Sequence, residues 1–129
     1  MTEAGGTMNW SAIAAVFLAL AVGLGAFGAH GLKARLDANH LDIYKTAVLY
    51  HFLHALGLLV VSALPKAGAI SAEAANSVCW LLAAGILIFS GSLYVLAVTG
   101  IDKLGAITPF GGVAFIAAWV LLAWKLVRS

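Results

Sequence analysis

The sequence predicts an all-α polytopic membrane protein: a bundle of four transmembrane helices, with a short interfacial amphipathic segment between the first two. Asp, Glu, Lys and Arg are absent from Ala4 to Leu32, Thr46 to Pro65, Ala74 to Ile101 and Leu104 to Trp124, and each window is at least 20 residues long. A bilayer core of about 30 Å needs about 20 helical residues to cross it, because each residue rises about 1.5 Å. The composition agrees: 64% hydrophobic and 9% charged, against roughly 25% charged in a soluble domain. A soluble fold of this size leaves much of its surface wet and cannot hide so much apolar area. A single membrane domain over residues 1–129 is expected.

The first helix is expected at about residues 9 to 29. The preceding tail carries Glu3 and no Lys or Arg. A signal peptide needs a basic start and a shorter apolar stretch, so the segment reads as a retained transmembrane helix. Its small residues fall in rows: Ala15, Ala19 and Gly23 at four-residue spacing, and Ala21, Gly25 and Ala29 one face over. Helices in lipid associate where small side chains let backbones approach, so the first row is assigned to helix packing.

His30 to Lys45 is the most polar stretch. Leu32, Leu36 and Ile43 between its charges suggest a short amphipathic helix at the interface. The second helix follows over about residues 44 to 64, and Pro65 ends it by disfavouring helical backbone in the residue before it. Ser71 is a candidate N-cap, with Glu73 favourably placed near the positive end of the next helix. That third helix covers about residues 75 to 98 and stops at Gly100; Gly91 within it is assigned to packing. Thr108-Pro109 reads as a cap followed by proline at the first helical position. A fourth helix then runs over about residues 109 to 127, with Gly111, Gly112, Ala114 and Ala118 as a second small-residue face. Trp10, Tyr44, Trp80, Trp119 and Trp124 fall near window ends, as interfacial aromatics do.

A net charge of +2, scattered along the chain, gives no nucleic-acid footprint. The one cysteine, Cys79, excludes an intrachain disulfide and reads as a small buried side chain. Lys33, Arg35, Lys45 and Lys103 lie on one side of the predicted topology, with Lys66, Lys125 and Arg128 on the other. The clustering of the first three leans towards both termini outside.

All four histidines, His30, His40, His51 and His54, fall within 25 residues. His51 and His54, at i and i+3, share a helical face inside a charge-free window. Ionisable groups at membrane depth are costly and turn towards the bundle interior or water. An interhelical hydrogen bond is the favoured reading, ahead of proton or solute handling and of metal or haem ligation. No Cys, Asp or Glu stands beside the pair, which leaves an incomplete metal set. No metal or cofactor is therefore expected. The windows hold no paired carboxylates and no serine with a base at motif spacing, so the chain is expected not to be an enzyme.

Three segments in order resemble a known family: Gly25-Ala26-Phe27-Gly28-Ala29-His30-Gly31-Leu32-Lys33; Thr46-Ala47-Val48-Leu49-Tyr50-His51-Phe52-Leu53-His54-Ala55-Leu56; and Phe89-Ser90-Gly91-Ser92-Leu93-Tyr94 with Ile107-Thr108-Pro109-Phe110-Gly111-Gly112. The chain resembles the YgdD-like family of small membrane proteins, a domain-of-unknown-function family with eukaryotic TMEM-type relatives. The resemblance implies a four-helix integral membrane protein of the bacterial inner or plasma membrane, with His30 and His54 at motif positions and no motif role for His51. It carries no activity, substrate or cofactor with it.

Gly25, Gly28 and Gly31 leave the backbone beside His30 open to close approach. His54, Ser90 and Tyr94 are expected to form one hydrogen-bonded cluster between the second and third helices. The functional expectation is an interaction protein surrounded by membrane lipid, either a homo-oligomer or an accessory subunit of a larger membrane complex. The alternative is an oligomeric transporter or proton-linked permeation unit using the buried histidines.

Overall fold

A computed structural model describes residues 8–129. Among these residues all regular structure is helical, and four segments are long and apolar enough to span a membrane: Trp10–Leu32, Ala38–Ala63, Ala72–Thr99 and Asp102–Arg128. Successive spans alternate in direction, so the start of the first span and the end of the fourth lie at one face.

The first span is α1 (Trp10–Phe27), prolonged without a break by a π turn at Gly28–Leu32. Asn9 caps α1 by accepting the Ala12 N–H at 3.1 Å, which satisfies one of the donors a helix start leaves free. The second span is α2 (Ala38–Ala63), capped by Asp37, whose carboxylate accepts the His40 N–H at 2.7 Å. Leu64 and Pro65 end it. Ser71 caps α3 (Ala72–Gly85) through the Ala74 N–H, with Glu73 in the first turn, as expected. A second π turn, Ile86–Ser90, joins α3 to α4 (Gly91–Thr99). Gly100 closes that span with φ of 74°, a left-handed conformation that glycine adopts without the Cβ penalty. A 3₁₀ turn at Asp102–Ala106 leads into α5 (Thr108–Arg128).

Several sequence expectations need correction. The polar stretch His30–Lys45 is not a helix of its own: His30–Leu32 belongs to the first span, and α2 begins already at Ala38 because Asp37 caps it. Its apolar residues do form one face, since Leu32, Leu36 and Ile43 pack with Tyr44 and Ala97 in a small core at the connector end. Thr108 does not cap α5; its Oγ1 sits 2.6 Å from Ser92 Oγ on α4 instead.

α1 lies mainly against α2, while α3 packs on both α2 and α5. The larger core joins Ala14, Leu58, Val61, Val78, Cys79, Leu82, Phe115 and Ala118, with Trp10 closing its end. Lipid tails are as apolar as these side chains, so the core is held by close packing rather than by water exclusion. Glycine supplies that closeness at the α5 crossing. A Cβ on Gly111 would collide with the Phe89 backbone, and one on Gly85 with the Phe115 ring.

Candidate functional site

The connector-side half of the bundle holds a buried polar cluster built from three spans. Tyr44, 2% exposed, lies in the second turn of α2, and its ring covers Gly28 so closely that a Cβ there would collide with it. Its hydroxyl donates to the Leu24 carbonyl of α1 at 2.5 Å. One turn on, the Ala47 carbonyl accepts from Ser90 Oγ at 2.8 Å, fastening the end of the second π turn to α2. A further turn on, His51 Nδ1 lies 2.8 Å from Tyr94 Oη of α4. The Tyr94 ring meets Tyr44 edge-on with centroids 5.2 Å apart. Tyr44, Ala47 and His51 thus rise along one face of α2, at spacings of three and four residues.

Both π turns border this cluster. Leu24, the acceptor for Tyr44, also receives the Gly28 N–H at the start of the first, and Ser90 ends the second. A π turn inserts a residue and displaces the ladder of backbone bonds, which is why such turns recur at functional sites. Here they rotate the connector-side ends of the first and third spans relative to the rest of each helix.

His51 stands six residues beyond Lys45, about 9 Å along the helix, and is 3% exposed. Its Nε2 is buried without a hydrogen-bond partner among the described residues. The Phe17 ring of α1 meets its edge at a centroid distance of 6.2 Å. A buried polar atom without a partner is costly, and the Phe17 backbone of α1, beside the His51 ring, offsets part of that cost.

The structure rearranges the expected site residues. Ser90 and Tyr94 are in the cluster, but the histidine that joins them is His51. His54 faces the other way: Nδ1 is 2.8 Å from the Tyr50 carbonyl of its own helix, and its ring stacks on Phe115 of α5 at 3.5 Å between centroids. Positions three apart on a helix are not superposed, and the 60° between them sends His51 to α1 and α4 and His54 to α5. His30 is exposed in the first π turn and takes no part in the cluster. Tyr44 was not anticipated as a member, although its place at the end of the polar stretch, opposite the glycine-rich end of α1, was a usable signal. Among the described residues no three His, Cys, Asp or Glu side chains converge as a metal set.

The packing assignments divide as well. Gly111 and Ala118 are buried within the bundle, and Gly112 meets Phe89 at ordinary contact distance. α5 therefore spends its small face inside the chain. Gly91 has nothing within 4 Å of a Cβ position. On the first span the inward row is Ala14, Ala21 and Gly28; Ala15, Ala19 and Gly23 all face outward.

Comparison with known proteins places this geometry. The family described as "Protein of unknown function (DUF423)" matches residues 24–112, a stretch that holds both π turns and the whole polar cluster. The UPF0382 membrane protein YwdK of Bacillus subtilis (strain 168) is 50% identical over 118 residues, covering 90% of this chain and 94% of its own. A UPF0382 membrane protein of Staphylococcus saprophyticus is 50% identical over 103 residues, 80% of this chain and 83% of its own. One of Staphylococcus haemolyticus is 46% identical over 103 residues, 80% of this chain and 82% of its own. No solved structure matches.

Proposed function

We propose a non-catalytic assembly role for this chain, which belongs to the DUF423 family of small membrane proteins: a four-helix unit that associates through the outer face of α1, with copies of itself or as an accessory subunit of a larger membrane complex. The chain is a multi-pass bacterial membrane protein, and the first span is its least enclosed along with the fourth. The observation that carries the reading is the outward row Ala12, Ala15, Ala19, Gly23 and Ala26, spaced by three and four residues, every member exposed. A Cβ on Gly23 would meet nothing within 4 Å. Lipid needs no such groove, and helices facing lipid carry large apolar side chains, as Val16, Leu20 and Val22 do beside it. A row of small residues between such ridges instead suits the close approach of another helix. The absence of paired carboxylates in the charge-free windows supports a role without chemistry.

Cysteine cross-linking in native membranes tests the reading. Cys79 is 0% exposed and should not interfere. Ala19→Cys should form disulfide-linked dimers, or adducts with a partner, while Val120→Cys on the outer face of α5 should not. Equal cross-linking at both positions, or none at either, would refute an interface on α1.

A second reading, an oligomeric proton- or solute-conducting unit, draws support from the unpartnered Nε2 of His51. It expects His51→Leu to abolish flux in liposomes and His54→Leu to leave most of it, since Phe115 covers the latter ring.

A further inference from the structure

At the face that carries the start of α1 and the end of α5, a cleft of about 410 Å³ opens where the start of α1, the end of α2 and the start of α3 meet. It lies opposite the polar cluster, and its largely apolar lining carries one cation and a few free hydrogen-bond donors. Lys66, exposed on the α2–α3 connector, is the only charged residue among those that line it. Asn76 accepts the Trp10 indole N–H on Oδ1 at 2.8 Å. The indole can only donate, so this bond fixes the amide orientation and leaves the two N–H groups of Nδ2 free to donate. On the floor, Ser62 Oγ donates to the Leu59 carbonyl at 2.6 Å, so Ser11 donates in the 2.9 Å Ser11–Ser62 pair and neither hydroxyl proton is left for a ligand. The starts of α1 and α3 add backbone donors. Asn9 and Ser71 cap the Ala12 and Ala74 N–H groups, leaving those of Trp10, Ser11 and Ala72 unbonded among the described residues.

We infer that this cleft binds the phosphate of a phospholipid headgroup. The charge selects an anion, because a lone ammonium among amide and backbone donors has no carboxylate in the lining to neutralise it. The depth selects a lipid. Lys66 and Pro65 mark the end of a charge-free window, which is where headgroups begin, and Met8, Pro65 and the Trp10 ring give the same cleft an apolar wall for the glycerol and first methylenes. Tryptophan at this level, with one end apolar and the other polar, is characteristic of the headgroup zone.

The test titrates phosphatidylglycerol onto the full chain in detergent and counts bound lipid by native mass spectrometry. Lys66→Gln should weaken binding about fivefold, the contribution of one cation near a membrane surface. Asn76→Asp keeps the acceptor for Trp10 but replaces the free donors with negative charge, and should weaken it more than tenfold. Lys103→Gln, on the opposite face, should bind like the parent chain. Equal retention by all four proteins would overturn the proposal. So would displacement of the lipid by millimolar inorganic phosphate, which would make this a site for free phosphate. Lys66 is exposed, so its variant decides the matter even where Asn76→Asp fails to fold.

Discussion

His51 and Tyr94 form a polar contact between the second and third spans, Nδ1 to Oη at 2.8 Å, inside a bundle packed mainly from apolar side chains. Around it Tyr44 and Ser90 make two further interhelical bonds, both to backbone carbonyls. Three spans are thus tied together over about two turns of α2. Helix association in lipid draws on interhelical hydrogen bonds as well as packing, each worth about 0.6 kcal/mol on average and up to about 1.7 kcal/mol.

A double-mutant cycle on His51→Leu and Tyr94→Phe should therefore return a coupling of about 0.6 to 1.7 kcal/mol, read from unfolding in mixed detergent micelles. The same cycle on His54→Leu and Tyr94→Phe should return none, because His54 bonds within its own helix. Coupling to His54 in place of His51 would show that α2 is rotated from the orientation described.

Glycines at two positions should respond in opposite ways. Gly111→Ala places a methyl against the Phe89 backbone, which cannot swing aside as a side chain can, and should cost about 1–3 kcal/mol as overpacking. Gly91→Ala meets nothing within 4 Å and should be neutral or slightly stabilising, since alanine is the better helix former. Thermal melting of the two variants, compared with the parent, is sufficient. Equal losses would mean that the α3–α5 crossing is looser than the structure has it.

The cap on α2 should be sensitive to acid. Asp37 accepts the His40 backbone N–H, and that bond, helped by the His40 ring at 2.8 Å, holds its carboxyl below the ordinary 3.8. A carboxyl with a lowered pKa in the folded chain contributes stability above its ordinary value and loses it as pH falls through the folded one. Titration followed at the Asp37 carboxyl carbon by NMR should give a midpoint below 3.8, and Asp37→Ala should flatten the acid limb of the stability profile. A midpoint at or above 3.8 would show that the cap is not formed in solution.

Much of the fold was legible because membrane depth is written in charge. The four charge-free windows became the four spans, and Ser71 and Gly100 marked their ends as local chemistry dictates. Helix rotation was far less legible. Alanine and glycine occur on every face of α1, so composition did not choose between the row through Ala15 and Gly23 and the row through Ala14 and Ala21. The choice rests on long-range fits such as Tyr44 over Gly28 and Trp119 over Gly57. The same rotation decides between His51 and His54. The π turns shift the register further, and the glycine-rich sequence Gly25-Ala26-Phe27-Gly28-Ala29-His30-Gly31 hints at close approach without revealing a change of helix type.

The central claim is that the outer face of α1 is an assembly surface. The most direct measurement is native mass spectrometry of the full chain extracted gently from its own membrane, compared with Gly23→Leu. Gly23 has open space around it within the chain, so the substitution should leave the fold of the single chain intact. The expected result is a defined oligomer or hetero-complex for the parent chain, and a folded monomer for Gly23→Leu. A parent chain that leaves the membrane as a monomer, or an assembly that survives the substitution unchanged, would contradict the claim.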